Sequence, residues 1–167
     1  MVPEESALIA MIVESVREVF LAYYDEEPVV GPSSIKPDAE YYKPPSSEAT
    51  AIIHYSGGVA GGIHLAAPLY VGLALAGRLA EEEYGSMTRE AGDAYGELAN
   101  IIAGGLQTSL GNRFAFRINL TPPTIITGGD YQMQYKSNFH SLKQFFRCHS
   151  GVFFVEFFYI FENSGRS

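Results

Sequence analysis

The sequence predicts an α+β fold, with helices packed on a largely antiparallel β-sheet. Three observations carry this. Apolar residues recur at helical spacing at the start of the chain and in two central segments. Two alternating segments flank a Gly57-Gly58 turn, which is a hairpin signal. The remainder is a series of short β-compatible runs. The resulting order of helix, strands, helix, helix, strands fits helices set against an antiparallel sheet better than an alternating βαβ pattern.

Residues Glu4 to about Tyr24 form the first expected helix. Leu8, Ile9, Ile12, Val16, Val19 and Phe20 share one side, with Glu14, Arg17 and Glu18 opposite. Pro3, Glu4 and Glu5 suit its start through fixed backbone angle and favourable charge. Asp25 to Ser47 holds Pro28, Pro32, Pro37, Pro44 and Pro45. It reads as an extended edge segment, where a missing N–H is tolerated. Thr50 to Ala66 gives the hairpin. Pro68 opens a second helix, about Leu69 to Glu83, ended by Tyr84-Gly85. A third helix starts near Thr88 and ends at Gly111-Asn112. Phe114 to Leu120, Ile125 to Ile126, Gln132 to Tyr135, Leu142 to His149 and Val152 to Phe161 are read as strands of a meander, with Ser150-Gly151 a hairpin turn. Glu162 to Ser167 reads as a frayed tail.

At 167 residues the chain is expected to be one domain, 1–167, with a substantial core. A net charge of −8 argues against nucleic acid and against an anionic membrane surface as partners. The single cysteine, Cys148, excludes an intramolecular disulfide and a Cys-based zinc site. The acidic start MVPEESALIAMIVESV is unlike a secretory signal, and no apolar run reaches a membrane span. A cytoplasmic protein is expected.

The third helix contains DAYGELANIIAGGLQTSL, Asp93 to Leu110. Asp93, Glu97, Asn100 and Gly104 fall along one edge of it. Tyr95, Leu98, Ile102 and Leu106 fall on the other. Asn is a poor helix-interior residue, and Gly104 and Gly105 are poorer. Together they cost about 2 kcal/mol or more against alanine. A chain that needed only a helix here would not carry them.

The pattern Asp93-x-x-x-Glu97-x-x-Asn100 resembles the active-site signature of the CheC/CheX/FliY family of response-regulator phosphatases. ELANIIAGG, the later TPPTIITGGDY and the preceding hairpin HYSGGVAGGIHLAAP resemble its CheX-like members in particular. The first helix lacks a second Glu-x-x-Asn; Glu14-Ser-Val-Arg17 comes nearest. One site rather than two is the CheX-like pattern.

The resemblance implies a protein phosphatase whose substrate is the aspartyl phosphate of a CheY-type receiver, in chemotaxis or a related two-component pathway. It implies Asn100 and Glu97 as catalytic residues. The Asn100 carboxamide would orient the hydrolytic water, and Glu97 would pair with the receiver's lysine. Asp93 and Gly104 would be partner-binding, Gly104 by letting the partner backbone approach. No cofactor of its own is implied; magnesium is expected in the receiver. A homodimer is implied too, with the aromatic C-terminal strand a candidate interface. The rival reading is a non-catalytic receiver-binding or flagellar-switch-type module on the same fold. Such a module would keep the helix face without needing the carboxamide.

Other features read as structural. Gly57, Gly58, Gly61 and Gly62 precede no Gly-Lys-Ser/Thr, so they mark a hairpin rather than a phosphate loop. His54 and His64 lie on its two strands without a nearby carboxylate in sequence, a weak metal signal. Cys148 has no local catalytic partner. The phenylalanines near the end of the chain read as core or dimer contact.

Overall fold

The computed structural model describes residues 2–36, 41–42, 48–129, 131, 133–134 and 138–162, the pairs 41–42 and 133–134 by backbone alone. Among these residues there are three helices: α1 (Glu5–Tyr24), α2 (Leu69–Ala80) and α3 (Arg89–Phe114). The strands are β1 (Val29–Lys36), β2 (Tyr41–Tyr42), β3 (Ala49–Gly57), β4 (Val59–Ala67), β5 (Ile118–Leu120), β6 (Thr124–Thr127), β7 (Met133–Gln134), β8 (His140–Cys148) and β9 (Gly151–Phe161).

A seven-stranded sheet has the order β1-β8-β9-β4-β3-β5, with β6 also pairing with β3. Every pairing is antiparallel. β2 and β7 form a separate two-stranded sheet. β1 is an edge strand, and its register shifts between Val30 and Ser33, where Gly31 and Pro32 stand. This is where proline is tolerated. The Gly57-Gly58 hairpin forms as expected, with Gly57 at φ 101, a left-handed geometry that glycine adopts without strain.

All three helices pack against one face of the sheet. Ile53, Tyr55, Ile63, Leu65, Phe153, Val155 and Phe157 from the strands meet Leu8, Ile12, Val16, Phe20, Leu75, Tyr95, Leu98, Ile102 and Leu106 from the helices. The ends of α1 and α2 and the β8–β9 turn are tied by Glu26. It is buried, lies 2.8 Å from Arg78 Nη2, and accepts the His149 N–H at 2.8 Å.

The reverse face is unusual for its buried ionisable groups. His64, Glu156 and Lys143 stand opposite one another on β4, β9 and β8. His64 and Glu156 are buried. Ser141 Oγ donates to Glu156 Oε1 at 2.9 Å, and Lys143 Nζ lies 3.7 Å from Oε2. The Phe139 ring lies tilted against Phe158, centroids 6.3 Å apart, and Tyr131 packs on Ala66 and Phe154 over this face. Burial pushes the His64 imidazole down to about 3, helped by His54 and Lys143. Burial pushes the Glu156 carboxyl up to about 7, outweighing Lys143 and the Ser141 hydrogen bond.

The structure corrects several expectations. α2 stops at Ala80, not Glu83, because Glu81 turns left-handed (φ 57) and the Glu82 N–H bonds back to Gly77 O at 3.0 Å. α3 runs past Gly111-Asn112 to Phe114 and ends at Ala115 in the left-handed region (φ 59). Phe114 therefore belongs to α3, and β5 shrinks to Ile118–Leu120. The meander also fails, since β5 and β6 both return to β3. β9 is an interior strand, paired with β4 and β8, so it cannot be the proposed dimer edge. His54 and His64 share a face but are not opposite each other; their partners are Gly62 and Ile52. Gln132, Tyr135, residues 37–40 and 43–47 of the proline-rich stretch, and the tail beyond Glu162 lie outside the described residues.

Candidate functional site

α3 begins where Thr88 takes an extended backbone and its hydroxyl accepts the Ala91 N–H at 3.2 Å. Its buried side is Ala91, Tyr95, Leu98, Ala99, Ile102, Ala103, Leu106 and Leu110. Because the helix is continuous, Asp93, Glu97, Asn100 and Gly104 fall within a sector of roughly 60°. Asp93 and Glu97 are exposed; Asn100 and Gly104 are half-buried. Among the described residues, no hydrogen bond or ion pair engages the side chains of Asp93, Glu97 or Asn100. The four residues singled out from the sequence thus form one open stripe whose polar side chains are uncommitted among the described residues.

The glycines around the stripe have different causes. A methyl on Gly104 would meet nothing within 4 Å. Gly96 lies on one flank, where a Cβ would come 2.9 Å from Pro123 Cγ. Gly105 lies on the other, where a Cβ would collide with the Ser15 hydroxyl. Gly96 and Gly105 are therefore explained by packing within the chain, and Gly104 is not. Gly96→Ala is expected to lower stability by about 1–2 kcal/mol despite its better helix propensity, because the Pro123 ring is rigid. Urea unfolding checks this.

The stripe is a ridge, not a pocket. A cleft of about 790 Å³ lies against α2, lined by Tyr70, Ala74, Glu81, Glu82 and Tyr84 among others, and a second of about 240 Å³ separates α1 from α3. Neither includes Glu97, Asn100 or Gly104. A shallow cleft of about 300 Å³ between α3 and β6 reaches only Asp93. Glu81, Glu82, Glu83, Glu90, Asp93 and Glu97 are all exposed, so the surroundings are acidic, with Arg89 the exposed cation on the same stretch. Among the described residues no group of three or more His, Cys, Asp or Glu side chains could hold a metal ion. Among the same residues no helix is long and apolar enough to cross a membrane.

Sequence reasoning missed the hydroxyls that hold this helix down. Tyr95 OH lies within reach of Ala49 O (3.2 Å) and Leu65 O (3.0 Å) on the sheet. Tyr55 OH, from β3, donates to Ala103 O at 2.6 Å. Ser15 Oγ, from α1, donates to Ile102 O at 2.8 Å. Their partners are backbone carbonyls, which leave no mark in a sequence.

Comparison with known proteins accords with this geometry. No curated protein sequence matches the chain. Among solved structures, a chemotaxis protein CheX from Desulfovibrio desulfuricans superposes with a TM-score of 0.75 at 18% identity, covering 93% of this chain and 99% of its own. A CheC-like superfamily protein from Shewanella gives 0.77 at 19%, covering 92% and 97%. CheX in the CheX–CheY–BeF3–Mg2+ complex from Borrelia burgdorferi gives 0.71 at 23%, covering 91% and 97%. At these identities the likeness establishes the fold. The family model described as chemotaxis phosphatase CheX matches residues 49–147, which contain the whole stripe. That match spans more than half of the sequence, and the chain belongs to the CheX family.

Proposed function

We propose that this protein dephosphorylates the aspartyl phosphate of a CheY-type receiver, with the α3 ridge inserted into the receiver's active site. The observation that carries the reading is the uncommitted stripe of Asp93, Glu97, Asn100 and Gly104 on an otherwise well-anchored helix. Acyl-phosphate hydrolysis needs an in-line water and charge neutralisation at phosphorus. The receiver supplies magnesium and a lysine; this chain supplies a neutral carboxamide. Asn100 accepts from the attacking water through its oxygen and donates through its nitrogen. Glu97, one turn earlier, pairs with the receiver's lysine and fixes the docking angle. Asp93 extends the contact surface. The Borrelia burgdorferi complex holds CheX with CheY, BeF3 and Mg2+, and BeF3 is a phosphoryl mimic, which supports a CheY-type receiver as the partner here.

Gly104 gives a test with two readouts. Gly104→Ala is expected to raise stability by about 0.5–1 kcal/mol, since the methyl has open space and alanine favours the helix. The same methyl obstructs close approach of the receiver backbone, so affinity should fall. Unfolding midpoints and titration with a receiver carrying BeF3 and magnesium measure the two effects. Unchanged affinity would remove Gly104 from the interface.

The decisive assay is phosphate release from a phosphorylated receiver, with the parent protein, Glu97→Ala and Asn100→Ala. If all three accelerate release equally, the site is not catalytic, and a receiver-binding module becomes the better reading. Light scattering across a concentration series tests the homodimer, which we also propose, without assigning its interface.

A further inference from the structure

We propose that Tyr55 and Ser15 are positioning residues for Asn100, holding the α3 backbone in catalytic register beside a weak point in the helix. The inference rests on the phosphatase reading above and deepens it.

Gly104 and Gly105 follow Asn100 by one turn. Consecutive glycines are the least helix-favouring pair short of proline. The Asn100 carbonyl bonds to the amide of Gly104 in a regular α-helix, so any loosening there reaches the catalytic residue directly. Three successive carbonyls at this point each receive an extra hydroxyl donor. Ser15 donates to Ile102 O at 2.8 Å, Tyr55 to Ala103 O at 2.6 Å, and Thr108 to Gly104 O at 3.0 Å. The donors come from three elements: α1, β3 and α3 itself. Ser15 and Tyr55 are both buried. The arrangement also accounts for Gly105. Only a residue without a Cβ lets the Ser15 hydroxyl pass to Ile102 O. One device thus joins Gly105, Ser15 and Tyr55. Ala103 is one turn from Asn100, and Tyr95 anchors the helix to the sheet on the other side, five residues earlier. The segment carrying Glu97 and Asn100 is therefore fastened at both ends, while the side chains between them stay uncommitted. A displacement of about 1 Å in a group that orients an attacking water can lower turnover a hundredfold.

The test compares Tyr55→Phe and Ser15→Ala with a control, Tyr24→Phe. Tyr24→Phe also loses a hydroxyl bond, a half-buried one to Leu75 O at 2.9 Å, but the partner carbonyl is on α2 rather than α3. All three variants should lower the thermal midpoint. Under saturating phosphorylated receiver, Tyr55→Phe and Ser15→Ala should lower kcat about tenfold, with KM changed less than about twofold. Tyr24→Phe should keep the parental kcat. Should Tyr55→Phe not fold, Ser15→Ala and Gly105→Ala carry the comparison. If Asn100→Ala is inactive while Tyr55→Phe and Ser15→Ala match Tyr24→Phe in kcat, the positioning role is overturned and the phosphatase reading stands. If Asn100→Ala keeps full activity, the phosphatase reading itself falls.

Discussion

Asn100→Ala is expected to lower the rate of phosphate release from a saturating phosphorylated receiver by about a hundredfold. That is the usual loss when a group orienting or stabilising the reacting atoms is removed. Loss of fold cannot be the cause, because alanine is the better helix former and Asn100 makes no bond within the described chain. KM should scarcely move, as the carboxamide acts on the water rather than on docking. Asn100→Asp is the sharper version. A carboxylate accepts from water but cannot donate, and it adds negative charge next to a phosphoryl group, so it should be at least as inactive. Glu97→Ala behaves differently. A lost charge-assisted bond to the receiver's lysine weakens binding by about 1.5–3 kcal/mol, so KM should rise tenfold or more with a smaller change in kcat. If Asn100→Ala and Glu97→Ala alter the same kinetic constant by similar factors, the division of roles is wrong.

The second large effect is hidden in the parent protein and appears only in variants. On the reverse face of the sheet, His64 is held neutral down to about pH 3 and Glu156 is held protonated up to about pH 7. The signs oppose. As pH falls through 6.5, the unfolded chain protonates at His64 and the folded one does not, so stability is lost. As pH falls from 7 toward 4.5, the folded chain protonates at Glu156 before the unfolded one, so stability is gained. Between about pH 6.5 and 4.5 the two slopes cancel. Each can reach about 1.4 kcal/mol per pH unit. Glu156→Gln should therefore lose about 2–3 kcal/mol relative to the parent between these pH values, and His64→Gln should gain a similar amount. Glu156→Gln also removes the Lys143 Nζ contact at 3.7 Å, so each variant is compared with itself between the two pH values. Urea midpoints at pH 4.5 and 6.5 measure the differences. Two variants running parallel to the parent would show that neither group titrates as described.

Much of this was legible beforehand because it is local. The helical spacing of α1 and the Gly57-Gly58 hairpin are short-range signals, and both appear as read. The geometry of the candidate site was legible because Asp93, Glu97, Asn100 and Gly104 lie on one helix, where spacing fixes direction. What failed depends on distant contacts or on which residue accepts an unusual backbone angle. Gly111 resembles a helix stop, yet Ala115 takes the left-handed turn. Gly105 reads as a functional cost until Ser15, ninety positions earlier, is seen against it. The meander failed because the pairing of β5 and β6 with β3 is set by the route of the chain over α3. One signal was present and underused. FFVEFFYIF has apolar residues at both parities, as a strand covered on both faces must, and β9 is such a strand.

The place of β9 bears on how the molecule assembles. β1 and β8 form one half of the main sheet, and β4, β3, β5 and β6 form the other; no ladder but those of β9 joins them. The α3 ridge rests on β3 and β4 through Tyr55 and Tyr95, within one half. β1 pairs with a strand more than a hundred residues away, a connection with high closure entropy. The half bearing the ridge can thus form from near neighbours in the chain. The continuous sheet cannot exist before residues 151–161 have joined β8 to β4, so β9 is the keystone of the main sheet.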